Sequence, residues 1–161
     1  MSYPPAVYHG ATGEVSATIS PSGTEPEVLY PNGNRVRYLA TGATTGGLFG
    51  LYRWEFAGPR SGPDAHFHRT VAESFFVLEG AVTIFDGVAW RVCRPGDFAH
   101  VPPGGLHGFR NESGPAAMLL HFAPGAPREA YFEGLAHGLG DLGTDEYAAF
   151  MAEHDNVWVG G

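Results

Sequence analysis

His66-Phe67-His68-Arg69-Thr70-Val71-Ala72-Glu73-Ser74-Phe75-Phe76-Val77-Leu78-Glu79-Gly80 is the stretch on which the fold turns. Side chains alternate faces along a strand, so His66 and His68 share a face and point at one centre. Residues 69–72 are enough for a tight turn back. Glu73 then opens a run, 73–78, rich in aromatic and β-branched residues, which reads as the next strand. Downstream, Pro102-Pro103-Gly104-Gly105 forces a turn. Residues 107–111 read as a further strand, from which His107 can supply a fourth ligand from across the scaffold. Three neutral imidazoles and one carboxylate leave about two positions open on a six-coordinate ion, in line with the open sites of non-haem iron chemistry. A lone histidine on a strand is usually a satisfied core or surface residue. Four ligand-type residues at this spacing point instead to a metal held by His66, His68, Glu73 and His107.

These residues fall into two spaced motifs. The first is His66-x-His68-x4-Glu73-x6-Gly80, and the second is Gly96-x5-Pro102-x-Gly104-x2-His107-x3-Asn111. Residues 81–95 separate them. Together they resemble the two motifs of the cupin superfamily. The glycine usual six positions before the first histidine is replaced by Arg60, with Gly58 and Gly62 on either side, which reads as a difference in loop length. The resemblance covers about a third of the chain. It implies a mainly β fold, a double-stranded β-helix or jelly-roll barrel, with the metal on the four named residues.

Bulk properties agree with one such unit. The chain has 161 residues, 43% of them hydrophobic, enough for a real core in a single domain. Its 24 glycines and 13 prolines suit many short strands joined by tight turns. A net charge of -8 argues against nucleic acid as a partner. All nine basic residues are arginine, which removes Schiff-base chemistry and a lysine base. Cys93 is the one cysteine, so no internal disulfide forms, and its place in an apolar strand makes it a small packing residue. Residues 1–10 lack the basic and apolar regions of a signal peptide, and no apolar run approaches the ~20 residues of a membrane span. The expectation is a cytoplasmic protein with no membrane partner.

In chain order, residues 1–34 read as an irregular arm with one or two edge strands, 35–123 as the barrel and 124–161 as a helical tail. Strands are expected over 36–41, 46–57, 82–85, 90–93, 98–101 and 116–123, with Asp86-Gly87 as a hairpin turn. In 46–57, Leu48, Gly50, Tyr52, Trp54 and Phe56 share one face. Which face lines the pocket stays open. Helices are expected over 127–137 and 144–154, the second capped by Thr144. They serve either as packing on the barrel or as a lid over its mouth. Residues 156–159 read as an edge strand that, like the arm, could serve a homodimer.

The pocket reads as aromatic and apolar, with Phe67, Phe75, Val77, Phe109, Trp54 and Phe122 as candidates and His121 as a group facing it. Few charges lie on the barrel strands. That disfavours a phosphosugar and favours a planar, mostly apolar substrate. The ligand set suits Ni, Mn, Fe, Co or Cu as divalent ion, with Zn also compatible. Residues 66–80, 98–109 and 122–133 are further similar to small bacterial cupins of the quercetin 2,3-dioxygenase type. This looser resemblance implies a metal-dependent dioxygenase that opens a flavonol-like or other enolisable aromatic substrate with O2, releasing carbon monoxide. Glu73 is then both ligand and catalytic base, with a pKa near working pH. Two alternatives stand beside it: a non-redox metal-dependent isomerase or cyclase of secondary metabolism, and a small-molecule binding cupin without turnover.

Overall fold

The structure is a computed structural model that describes residues 1–139 and 142–159. Residues 1–27 carry no strand or helix and are mostly exposed. Eleven strands and two helices follow among the described residues: β1 (Val28–Leu29), β2 (Arg35–Ala40), β3 (Gly50–Phe56), β4 (His66–Phe67), β5 (Ala72–Glu79), β6 (Val82–Phe85), β7 (Trp90–Cys93), β8 (Phe98–Val101), β9 (Gly108–Arg110), β10 (Ala116–Ala123), α1 (Glu129–Ala136), α2 (Thr144–Glu153) and β11 (Val157–Trp158). The sheets run β1-β2-β3-β10-β5-β8, β7-β6-β9 and β11-β4. Every pairing is antiparallel. This is the jelly-roll cupin architecture, although the three ladders do not close into one hydrogen-bonded ring. Isolated bridges, Ser61 to Asn111 and His66 to His107, cross the gaps.

Strand alternation builds the core. On β3 the buried face carries Tyr52, Trp54 and Phe56; on β5 it carries Glu73, Phe75 and Val77; on β10 it carries Met118, Leu120 and Phe122. The face left open by the sequence is therefore the even-numbered one on β3. The strand expected over 46–57 is shorter, because Gly46 and Gly47 both adopt positive φ and turn the chain. Leu48, grouped by alternation with Gly50, Tyr52, Trp54 and Phe56, is 72% exposed before the strand begins.

The tail forms as two helices, but α2 begins at Thr144 itself, one residue too early for Thr144 to be its cap. Gly143 is the cap residue, and its N–H donates to Glu146 Oε2 at 3.0 Å. Tyr131 and Phe132 of α1 and Met151 of α2 are buried against the barrel. The edge strand expected over 156–159 exists as β11, and it pairs with β4, so the tail lies directly on the histidine strand.

Two motif residues do structural work. Asn111 is fully buried; its Oδ1 accepts from Ser61 N at 3.0 Å, and its Nδ2 donates to Gly58 O and Gly114 O. It thus fastens the loop that leads into β4. In that loop Gly62 has φ +142, and a Cβ there would meet Phe109 O at 1.9 Å. Gly62, two positions after Arg60, thus supplies the conformational freedom that this loop needs.

Candidate metal centre

His66, His68, Glu73 and His107 are all buried, and each offers a ligand atom within 4.8 Å of those of the others. His66 and His107 are neighbours rather than opposite walls. They form a bridge in which each backbone N–H donates to the other's carbonyl, at 2.8 and 2.9 Å. His68 is fixed by the turn that follows β4, where its carbonyl accepts from Gly104 N at 2.7 Å. Glu73 enters from β5, directly opposite Phe122 on β10.

Each imidazole is oriented by a backbone carbonyl. Nδ1–H of His66 donates to Asp64 O at 2.8 Å, that of His68 to Asp155 O at 2.6 Å, and that of His107 to Gly105 O at 2.9 Å. This leaves the three Nε2 atoms free for the centre, the outer-sphere arrangement that fixes tautomers at metal sites. Glu73 Oε2 lies 3.0 Å from His68 Nε2 and 2.8 Å from His107 Nε2. A carbonyl and a carboxylate can only accept. Two imidazoles between such acceptors need either a second proton each or a cation at Nε2. The donor set and its surroundings therefore fit a divalent metal, whose binding would release those protons.

The electrostatics follow from the same contacts. Burial would raise the Glu73 carboxyl, but hydrogen bonds from His107 and His68 outweigh it and hold the group below the usual carboxylate range. Burial, reinforced by His107, pushes His66 down to about 4. For His107 burial also acts downward, yet the Glu73 carboxylate prevails and raises it. Glu73 is thus ionised and ready to ligate, but it is a weaker base than a pKa near neutrality would give.

Beside the ligands lies a cavity of about 410 Å³. Of the seven expected pocket residues, Trp54, Phe109 and Phe122 line it. Phe75 sits behind His107, with ring centroids 6.0 Å apart, and Val77 is deeper in the core. Two expectations are corrected by strand alternation. Phe67, between the two inward histidines, faces away and lies under Arg69. His121, between the inward Leu120 and Phe122, is on the outer face and stacks on Phe49 at 5.6 Å. His100 shares that outer face, bonded to Ser74 Oγ at 3.0 Å. Cys93 is a packing residue, with burial raising its thiol.

Three residues of the site came from outside the motifs. Asp155 has φ +54, and its carboxylate accepts from Arg69 N, Thr70 N and Thr70 Oγ1 while its carbonyl holds His68. Burial would raise this carboxyl, but the Thr70 hydroxyl and the two amides lower it. Trp158 of β11 lies against His66, with ring centroids 5.1 Å apart. Arg128, just before α1, is buried in the cavity wall. The Asp155-Asn156 pair after a helix is a turn signal, and Arg128 heads an aromatic stripe, but neither spacing reveals the contact.

Residues 52–122 match the family described as the cupin domain. The chain is 32% identical over 130 residues to quercetin 2,3-dioxygenase of Bacillus subtilis (strain 168). That match takes in 75% of this chain but 36% of the relative, so the chain spans about a third of its length. Among solved structures it is similar to KdgF from Halomonas sp., with a TM-score of 0.61 at 15% identity, covering 71% of this chain and 98% of that one. It is also similar to an RmlC-like cupin from Shewanella frigidimarina NCIMB 400, with a TM-score of 0.58 at 21% identity, covering 72% and 96%. Both structures speak to the fold alone. No helix among the described residues is long and apolar enough to cross a membrane. From the sequence match, the jelly-roll strands and the four donors, the chain carries a cupin domain with a site that could hold a divalent metal.

Proposed function

We propose that the chain is a metal-dependent dioxygenase acting on a flavonol-like or other enolisable aromatic substrate, with His66, His68, Glu73 and His107 as its metal ligands. The observation that carries this reading is the junction of the four-donor cluster with an aromatic-walled cavity. The distant likeness to quercetin 2,3-dioxygenase supports it. A metal held there supplies Lewis acidity and, if redox-active, a route for electrons to O2. The chain's own residues do the rest. Trp54, Phe109 and Phe122 pack the planar body of the substrate and keep water from it. The ionised Glu73 carboxylate accepts the proton of the enolisable hydroxyl.

The test is paired. Elemental analysis after chelator-free purification identifies the metal, and O2 uptake with a flavonol panel follows using that metal. The expected result is about one Ni, Mn, Fe, Co or Cu per chain with flavonol-dependent uptake. The Glu73→Gln variant should fold and lose uptake; normal uptake by that variant would sink the proposed role.

A second reading has one observation in its favour. The same four-donor cluster, holding a metal that acts only as Lewis acid, equally suits a non-redox isomerase or cyclase. It requires that Zn(II) support turnover and that O2 be dispensable, and strict anaerobic inactivity would exclude it.

A further inference from the structure

The wall of the metal cavity holds an excess of buried donors. Arg128 is 5% exposed, yet among the described residues no carboxylate lies within 4.0 Å of its guanidinium. Its two terminal nitrogens donate to His154 O at 2.6 Å and Asn156 Oδ1 at 3.2 Å. Those contacts hold the tail. Its Nε–H has no partner, and neither has Nε1–H of Trp54 or of Trp158, all three being buried atoms of residues that line this cavity. The Tyr131 and Phe122 rings, 4.4 and 5.0 Å from the guanidinium carbon, offer it π faces but no charge. The cavity's own acids do not neutralise it. Glu73 is committed to His68 and His107, and Asp64 is exposed.

A buried cation without an anion is costly, and so is each buried donor left unpaired. Native proteins keep few such groups, and those they keep call for an explanation. Tail anchoring accounts for two nitrogens of Arg128 and leaves Nε unexplained. It also leaves unexplained the two unpaired indole N–H groups on residues that line the same cavity.

We propose that the cavity is built for a carboxylate-bearing aromatic or enolisable substrate, its carboxylate seated on Arg128 and the indole N–H groups of Trp54 and Trp158. Within the enolisable aromatic class, the seat then favours an organic acid over a neutral polyphenol. This rests on reading the cavity beside the four donors as the substrate site. It also changes the picture of a pocket without charge beyond its ligands: the missing charge comes from the tail, not from a barrel strand.

The test is isothermal titration of the full chain, metal-free and metal-loaded, with 2-naphthoate and with 2-naphthamide as its neutral isostere. The expected result is naphthoate binding at least about tenfold tighter in both forms, as a charge-assisted pair requires. Arg128→Met, checked for fold by circular dichroism, should erase the preference. If that variant loses its tail, Trp54→Phe and Trp158→Phe each keep an aromatic ring while removing the indole N–H, and should each weaken naphthoate binding severalfold. Equal affinity for the two ligands, no binding of either, or an undiminished preference in folded Arg128→Met overturns the proposal. Neither O2 nor turnover enters the experiment. A failure here leaves the dioxygenase reading standing, and a lack of O2 uptake leaves the carboxylate seat standing.

Discussion

Asp155 is the residue whose removal tests most of the structural logic at once. Its carboxylate caps the turn after the histidine strand through Arg69 N, Thr70 N and Thr70 Oγ1, at 2.9, 2.8 and 2.7 Å. Its carbonyl fixes His68. In Asp155→Gly the carbonyl remains, but the turn loses its acceptor. Each bond is worth about 1 kcal/mol net at a half-buried position, so the loss should be about 3 kcal/mol. Glycine frees the backbone at φ +54 and costs entropy in the unfolded chain, two effects of about 1 kcal/mol that oppose each other. For a chain of this length the melting temperature should fall by about 6–12 °C. The loosened turn should also cost about tenfold in metal affinity, as disturbing an outer-sphere partner does. Thermal melts of the metal-free chain and competition with a chromogenic chelator read the two effects separately. A variant that melts within about 1 °C of the parent would refute the cap. One that loses stability but binds metal unchanged would refute the link from cap to ligand.

Other perturbations follow from the same contacts. Gly62→Ala should lose more than about 2 kcal/mol in urea denaturation, because its Cβ would meet Phe109 O at 1.9 Å. Gly58→Ala, at a similar positive φ but in open space, should lose only about 1 kcal/mol. Free metal at about a hundredfold its dissociation constant should stabilise the chain by about 2.7 kcal/mol, and His107→Ala should abolish most of that rise in a melting assay. Asp86 accepts from Ala89 N, Arg91 Nε and Val88 N, which lower its carboxyl to about 2 from an ordinary 3.8. Because the folded value is the lower one, the stabilisation is present above the ordinary carboxylate pKa and is lost as pH falls toward about 2. Asp86→Asn should therefore flatten the acid limb of the stability curve between about pH 4 and pH 2, and an unchanged limb would discount the contact.

What the sequence made legible was local. His66 and His68 two apart, Glu73 after a four-residue turn and His107 after a forced one are set by strand period and turn chemistry, and the structure brings all four together. The short strands were legible for the same reason. Where Gly46 and Gly47 break the strand ahead of β3, the apolar alternation continues through the break and hides it. His121 was misplaced although alternation bears on it, because β10 is apolar on both sides and its inner face is set by packing against Tyr52 and Phe75. Arg128, Asp155 and Trp158 were out of reach for a stronger reason. Asp155 meets His68 across 87 positions of chain, and only the docked tail makes them neighbours. A bond of that separation leaves no periodicity to read.

The pairing of β11 with β4 also fixes an order of events during biosynthesis. The ribosome delivers His66, His68, Glu73 and His107 well before Asp155 and Trp158 exist. A nascent chain could gather its four ligating side chains, but His68 would still lack the carbonyl that selects its tautomer. Any ion captured at that stage would meet one untethered imidazole and exchange readily. Firm retention, and with it discrimination among the cell's competing ions, would begin only when the tail strand zips onto the histidine strand.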